Sequence, residues 1–359
     1  MKPLKDTYTH KGIFQDLAED MKKVYPQLDK RIFYQALVAD LEQLELKARI
    51  ERAADVCRQF LPKDYVKSLD VLYRFVQGKS NKLIYLFLPT YVAKYGKKHY
   101  EQSLLAVRDF TEYSSSEEGV RAFIELNPKK TLALMKKWTK SKNVHIRRLA
   151  SEGCRSRLPW AKKISFLIEN PELTWGILEA LKKDSEKYVQ KSVANHINDI
   201  SKDHPDWVVK KVKVWDLSRA ETHWIVKHGM RTLIKKGHKG ALALFGSSKK
   251  PQVTISNIRW DKKVKRGNSC QLTFDLISKS KKTQSLIIDY KIHFCKKSGQ
   301  QNPKTFKLTK CTLSPAERVG LKVKYDFRDR TTRKHYLGPH SWQLMINGEL
   351  LDNYSFELQ

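Results

Sequence analysis

A change in the spacing of apolar residues divides this chain of 359 residues into two parts. In the first part apolar side chains recur every three or four positions, as across Leu37–Leu44, which is the period of an amphipathic helix. In the second part they alternate with polar side chains, as in Gln271–Leu276, which is the period of a strand. The sequence therefore predicts a helical domain over residues 1–246 and a β-rich domain over residues 247–359.

The helical part contains a repeat that begins at Pro128, Pro171 and Pro205. Each proline stands where a helix is predicted to start, and a second predicted helix follows it. The units are 43 and 34 residues long, which suits two-helix HEAT-like repeats. Glu152 lies 24 residues after its proline, and Asp199 lies one turn beyond the equivalent place in the next unit. In an α-solenoid the stacked second helices would line one wall, so both acids are expected on it.

The β-rich part carries turn signals between its alternating segments. Asn347-Gly348 is a strong signal for a tight hairpin. Several short strands over about 110 residues favour an immunoglobulin-like sandwich. The predicted fold class is therefore an N-terminal HEAT-like α-solenoid followed by a C-terminal immunoglobulin-like β-sandwich.

The charge of the chain indicates an anionic partner. Lys and Arg number 70 against 38 Asp and Glu, which gives a formal net charge of +32. This balance favours nucleic acid over general solubility as its explanation. Both parts of the chain are basic, so the sandwich is expected to be an auxiliary DNA-binding domain. The alternative is a basic domain that contacts no polyanion.

Several classes of function find no support in the sequence. No apolar run has the roughly 18 residues that a membrane span needs, and no secretory signal is recognisable at the N-terminus. The five cysteines form no CxxC pair, which argues against a zinc site and fits a reducing cytoplasm. No GxGxxG, Walker loop or HExxH motif is present, so we expect neither a cofactor nor a metal ion.

The densest polar segment spans residues 147–160. A carboxylate inside a polyanion-binding surface repels phosphate, so Glu152 is expected either to face a cation or to pair with Arg148 one turn away. Trp160 could pack on a sugar or base, or could fill the core. The arginines suit bidentate contacts to phosphate, and the segment holds four of them: Arg147, Arg148, Arg155 and Arg157.

Two further acidic positions carry the same ambiguity. Asp199 is predicted near a helix C-terminus, where the helix dipole disfavours a carboxylate, so it needs a partner or a role. Glu117 follows three serines and is expected in the first turn of a helix, where capping alone would explain it. His196, which precedes Asp199 by less than one turn, is expected to be a hydrogen-bonded structural residue.

With these residues in place, the chain resembles the AlkC family of DNA alkylation-repair glycosylases. The resemblance covers nearly all of residues 1–246 and includes the opening segment at residues 3–13 and the segment LELKAR at 44–49. It is carried by three strings: RRLASEGCRSRLPWA at 147–161, YVQKSVANHINDISKDHPD at 188–206, and ETHWIVKHGMRTLIKKGHKGALALFG at 221–246. The C-terminal part resembles the sandwich domain that one branch of the family carries.

The resemblance implies a monomeric glycosylase that wraps double-stranded DNA and excises cationic N-alkylated bases. Substrates such as 3-methylcytosine, 3-methyladenine and 1-methyladenine are implied, without a pocket for a flipped base. By motif position, Glu152, Asp199 and Glu117 would be the catalytic carboxylates, and Trp160 and Arg148 would contact the lesion. The residues expected to bind DNA are Arg147, Arg155, Arg157, Lys191, Lys202 and Lys227.

Some positions depart from the pattern of the family. Ser156 replaces a usual proline, Gln190 and Lys191 replace usual arginines, and Glu118 replaces an apolar residue. The departures at Ser156, Gln190 and Lys191 support one alternative, a catalytically inactive HEAT-repeat protein that binds damaged DNA. A second alternative is a protein-interaction solenoid for acidic partners. The expected location is the cytoplasm, with DNA of the nucleoid as the place of action.

Overall fold

The structure is a computed structural model that describes Tyr8 and residues 11–245, 250–329 and 334–359. It separates into two compact units. The first unit contains the chain up to Asp203 together with Asp216–His228. The second contains His204–Trp215 and the chain from Gly229 onward. The predicted boundary between residues 246 and 247 lies outside the described residues, as does most of the opening segment at residues 3–13.

The first unit is built from short helices that bury one face. Asp29, Asp64, Asn127 and Asn143 each accept a hydrogen bond from a backbone N–H of the first turn, which fixes where their helices begin. Two short 3-10 segments, Leu41–Gln43 and Leu83–Leu86, join neighbouring helices. The α-helices are α1 Lys11–Val24, α2 Lys30–Val38, α3 Leu46–Phe60, α4 Tyr65–Val76, α5 Phe87–Tyr95, α6 Tyr100–Phe110, α7 Glu117–Leu126, α8 Pro128–Trp138, α9 Val144–Glu152, α10 Ser165–Glu169, α11 Glu172–Leu181, α12 Lys187–Ile200 and α14 Ala220–Gly229.

The proline-led repeat is present in the helices. Pro128 is the first residue of α8, where its missing N–H costs nothing, and Pro171 is the residue directly before α11. The second helices of these two units, α9 and α12, pack against each other. This packing brings the C-terminal turns of two helices, and the acids they carry, into one region.

The second unit combines three helices with two sheets. The three-stranded sheet has the order β1-β3-β6 and is antiparallel. The five-stranded sheet has the order β2-β8-β7-β4-β5 and is antiparallel except for the pair β2 and β8. The elements are α13 Pro205–Lys213, α15 Arg231–Lys236, α16 Lys239–Ala243, β1 Val253–Trp260, β2 Lys263–Val264, β3 Ser269–Ser278, β4 Gln284–Cys295, β5 Gln301–Leu313, β6 Arg318–Asp326, β7 Gly338–Ile346 and β8 Glu349–Leu358.

Side chains from both sheets share one core, in which Phe274, Phe327 and Trp342 are buried. The hairpin predicted at Asn347-Gly348 joins β7 to β8, and both residues have positive φ, at 48° and 81°, as a two-residue turn of this type requires. The predicted order of a helical region followed by an immunoglobulin-like sandwich is confirmed. Within the described residues, none of the helices has the length and hydropathy needed to cross a membrane.

Candidate active site

Glu152 is the last residue of α9, and its side chain is buried, with the residue only 6% exposed. The chain turns directly after it at Gly153. A Cβ at Gly153 would clash with Val120 on α7, so only glycine lets the end of α9 come this close to α7. The position of the Glu152 carboxylate therefore depends on the glycine that follows it.

Arg155 connects the two predicted catalytic carboxylates. Its Nη1 lies 2.5 Å from Oε1 of Glu152, and its Nε and Nη2 both lie 2.8 Å from Oδ2 of Asp199. Burial lowers the pKa of this guanidinium, but Glu152 and Asp199 outweigh burial and raise it above its ordinary value. One permanently charged group thus holds Glu152, which lies three residues before it in the sequence, and Asp199, which lies 44 residues after it.

Asp199 is more deeply buried than Glu152, at 3% exposure, and lies one residue before the end of α12. Besides Arg155 it has Lys202, whose Nζ lies 2.9 Å from Oδ1. These two cations offset the unfavourable helix dipole at this end of the helix. Both oxygens of Asp199 are therefore paired.

Glu152 differs from Asp199 in this respect. Arg148 Nη2 lies 3.7 Å from Oε1 of Glu152, the same oxygen that Arg155 contacts. For Oε2, the described part of the chain supplies no partner. Two arginines fix one oxygen of the carboxylate and leave the other available for a water molecule or a ligand.

The third predicted carboxylate, Glu117, joins the same cluster through Arg148. Its Oε2 lies 3.0 Å from Arg148 Nη1, which also donates to the Ser115 hydroxyl at 2.8 Å. The Arg148 guanidinium lies 4.9 Å from the ring centroid of Tyr188, a cation–π distance. Glu117, Glu152 and Asp199 are thus brought into one chain of ion pairs through Arg148 and Arg155.

Trp160 lies on the loop between α9 and α10 and is 65% exposed. The alternative that it fills the core is therefore wrong. Its φ is +65°, a conformation that costs a bulky residue energy and persists only where other contacts impose it. One such contact comes from Lys47 on α3, whose Nζ donates to the Trp160 carbonyl at 2.5 Å and also pairs with Glu118.

Arg121 on α7 holds the same loop from its buried side. Its guanidinium donates to the carbonyls of Arg155 at 2.6 Å and Lys162 at 2.5 Å. Burial lowers the pKa of Arg121, and the carbonyls satisfy its donors. Arg121 thus holds the loop that carries Trp160 at two points, Arg155 and Lys162, one on each side of Trp160.

The residues predicted to bind DNA fall into two groups. Arg147 pairs with Asp184 at 2.7 Å and Arg157 pairs with Asp203 at 2.7 Å. Arg155 is buried between carboxylates and Lys202 pairs with Asp199, as described above. Lys191 and Lys227 are exposed, and the described residues offer neither of them an ion-pair partner.

His196 has the structural role expected for it. Its two ring nitrogens lie 3.1 Å from the Ser151 carbonyl oxygen and 3.2 Å from the Thr174 hydroxyl. Burial lowers the pKa of His196 to about 4, so the ring is neutral at pH 7. This neutral ring fastens α12 to the C-terminal end of α9.

Three residues that shape the site are missing from the predicted set: Arg121, Lys47 and Tyr188. Arg121 and Lys47 act on a loop that lies 32 or more residues away in sequence, and Tyr188 reads as an ordinary aromatic residue in an amphipathic helix. A buried arginine among apolar residues, as in Val120–Ile124, is the one local signal that could have drawn attention to Arg121.

Two regions of the chain match families of known proteins. Residues 85–233 match the family described as "DNA alkylation repair enzyme", and residues 254–359 match "Uncharacterised protein YhaZ, C-terminal Ig-like domain". The curated Bacillus subtilis (strain 168) protein "Uncharacterized protein YhaZ" is 39% identical over 360 residues, with all of both chains covered.

One solved structure is similar to this chain over its whole length. It is the Pseudomonas fluorescens alkylpurine DNA glycosylase AlkC, bound to DNA containing an abasic site analog. It is 38% identical to this chain, covers 100% of both chains and superimposes with a TM-score of 0.93.

Proposed function

Because this chain belongs to the AlkC family of DNA alkylation-repair glycosylases, we propose that it is a DNA glycosylase that excises cationic N-alkylated bases. The proposed substrate is double-stranded DNA that contains 3-methyladenine, 3-methylcytosine or 1-methyladenine. The proposed enzyme acts as a monomer on DNA in the bacterial cytoplasm and needs no cofactor.

The proposed reaction breaks the bond between C1′ of deoxyribose and a ring nitrogen of the base. Both electrons of this bond go to the base, so a base that carries a positive charge leaves as a neutral molecule and needs no general acid. The sugar becomes an oxocarbenium-like cation. A water molecule then adds its oxygen to C1′ and gives up one proton, which leaves an abasic site.

The observation that carries this proposal is the unequal use of the two Glu152 oxygens. Oε1 is fixed by Arg155 at 2.5 Å and Arg148 at 3.7 Å, whereas Oε2 has no partner within the described residues. Oε2 is the atom that we assign to the sugar cation and its attacking water. Asp199 contacts the same guanidinium, adds a second negative charge and holds the ion pair of Glu152 and Arg155 in place. Charges that are fixed before the reaction begins provide preorganised electrostatic stabilisation.

Coulomb's law gives the size of the stabilisation that such a carboxylate can supply to the sugar cation. Two unit charges about 4 Å apart interact by about 4 kcal/mol at an effective dielectric constant of about 20. Each tenfold in rate corresponds to about 1.4 kcal/mol. The arginine partners cancel part of this interaction, so we assign to each carboxylate a contribution of at least about tenfold. Neutral bases leave less readily, so the same device selects for cationic lesions.

The arginines suit the opposite charge of the substrate. A phosphate flanks each sugar, and we assign contact with it to Arg148, which lies against the Tyr188 ring and pairs with Glu117. Trp160 is exposed and held in a strained conformation, which is typical of residues at functional sites. We therefore assign it to contact with the lesion nucleotide.

Release of methylated bases from duplex DNA tests the proposal. We expect Glu152→Gln and Asp199→Asn each to lose excision at least about tenfold while retaining affinity for an abasic-site duplex. The matched control is Asp203→Asn, which removes a carboxylate four residues beyond Asp199, after the end of α12, that is paired with the more exposed Arg157. If the wild type binds the abasic-site duplex but releases no methylated base, the alternative of a DNA-damage binding protein without glycosylase activity replaces the proposal.

A further inference from the structure

A cavity of about 530 Å³ lies beside the candidate site, within the first unit. This volume is in the range of pockets that hold small molecules, about 300–1,000 Å³. Its walls come from α3, α5, α7 and the loop after α9. Most of the wall is apolar, with Ile50, Leu83, Leu86, Pro89 and Leu158 among its residues.

The cavity shares residues with the candidate site. Glu117, which pairs with Arg148, lies on its wall, and so does Trp160. Lys47 also lines it and joins Glu118 to the Trp160 carbonyl. A contact from the opposite wall therefore sets the backbone of Trp160 where the cavity meets the site.

Nine of the nineteen lining residues have polar or charged side chains, and most of these side chains are already paired. Glu118 pairs with Lys47, and Lys94 pairs with Asp55 at 2.5 Å. Glu51 differs, because it is exposed and the described residues give its carboxylate neither an ion pair nor a hydrogen bond. An apolar cavity with one available carboxylate and an exposed indole beside it suits a flat aromatic molecule that carries an amino group.

We propose that this cavity receives the methylated base after its bond to the sugar has broken. This inference rests on the proposed glycosylase function and adds a place for the product. The base leaves neutral, so it suits apolar walls, and its flat ring can stack on Trp160. The exocyclic amino group that 3-methyladenine and 3-methylcytosine share can donate to the Glu51 carboxylate.

Two consequences follow for turnover. A base held in the cavity delays its own release, so the free base should inhibit the enzyme. It should also bind more tightly when an abasic duplex is present, because the duplex closes the site from the other side. Neither consequence requires the base to enter the cavity before the bond breaks.

Calorimetric titration of the full chain, bound to an abasic-site duplex, with free 3-methyladenine tests the inference. We expect one base to bind per chain, and Ala93→Phe, which places a ring inside the cavity, to weaken binding at least tenfold. The matched control is Leu105→Phe on α6, which adds the same ring to an exposed side chain and should leave binding unchanged. Should Ala93→Phe lower the melting temperature, Glu51→Ala decides in its place, with an expected loss of several-fold.

The inference is overturned if the wild-type complex binds no base, or if the cavity variants bind it as tightly as the wild type. Excision from methylated duplex is measured on the same samples. Excision without binding of the free base would remove the cavity from the account and leave the glycosylase proposal intact. Absence of excision by the wild type would contradict the glycosylase proposal and this inference together.

Discussion

The two compact units both bury carboxylates, and they treat the buried charge in different ways. In the helical unit, Glu152 and Asp199 share the guanidinium of Arg155, with contacts of 2.5 and 2.8 Å. In the strand-bearing unit, Asp289 on β4 is 5% exposed, and no described residue forms an ion pair or hydrogen bond with its carboxylate. Burial raises the pKa of Asp289 to about 6, against the opposing effects of Lys307 and Lys235.

This difference indicates what each buried acid is for. Burying a charge is costly unless the charge is paired and hydrogen-bonded. The helical unit meets that cost with cations that pair with its carboxylates and fix their positions, and preorganised groups of this kind are what stabilising a developing cation requires. Asp289 has no such arrangement and sheds its charge by protonation as the pH falls. We therefore assign chemistry to the first set and none to the second.

The largest effect on stability is expected from removing the shared cation. Arg155→Met removes the cation that Glu152 and Asp199 share and leaves both carboxylates buried with fewer partners. Removing one partner of a buried ion pair lowers the free energy of unfolding by about 3–5 kcal/mol. Urea unfolding at pH 7 measures this loss. The matched control is Arg157→Met, whose pair with Asp203 is more exposed and should contribute no more than about 1 kcal/mol. Equal losses in the two variants would break the distinction between a buried network and a surface pair.

A smaller effect of opposite sign is expected at Asp289. Its pKa is raised on folding, so the protonated form stabilises the fold at low pH, and this contribution is lost as the pH rises from about 4 through about 6. At pH 7 the charged form is a cost of up to about 3 kcal/mol.

Asp289→Asn should therefore be more stable than the wild type at pH 7 by about 1–2 kcal/mol, with no gain at pH 4. Thermal unfolding of both proteins at the two pH values measures it. A loss at pH 7 would show that the Asp289 carboxylate is paired in the folded protein. A gain of the same size at pH 4 would show that its ionisation is not the cause, and either result would remove the contrast between the units.

The smallest expected effect is on the salt dependence of duplex binding. It compares two cations of the helical unit that differ in whether a carboxylate pairs with them. Lys191 is exposed and has no ion-pair partner within the described residues, whereas Arg157 pairs with Asp203. Lys191→Ala should lower the slope of log K against log salt for duplex binding by about 1. Arg157→Ala should lower it less, because Asp203 already neutralises part of that charge. Binding measured across a salt series tests both, and a slope that neither variant changes would remove both residues from the DNA interface.

Much of the fold could be predicted from the sequence because it depends on local signals. The change of apolar period marks the helical and strand-bearing regions, and Asn347-Gly348 marks a hairpin whose two residues need positive φ. Pro128 begins α8 as its position predicted. Such signals act over a few residues, so they survive without knowledge of tertiary contacts.

The candidate site could be predicted only in part, because its contacts join residues that are distant in the chain. The acids Glu152 and Asp199 were identified by motif and repeat position, but the guanidinium between them was expected to contact phosphate. Trp160 was assigned by resemblance, while residue type alone left the core as an alternative. Lys47, which reaches its carbonyl across 113 residues of sequence, has no local signature at all.

The most direct test of the account is single-turnover release of 3-methyladenine from duplex DNA by the double variant Glu152→Gln, Asp199→Asn. Affinity for an abasic-site duplex is measured alongside it. We expect a rate at least about a hundredfold below that of the wild type, with affinity for the abasic duplex retained. A rate within threefold of the wild type, or a loss of rate matched by an equal loss of affinity, would contradict it.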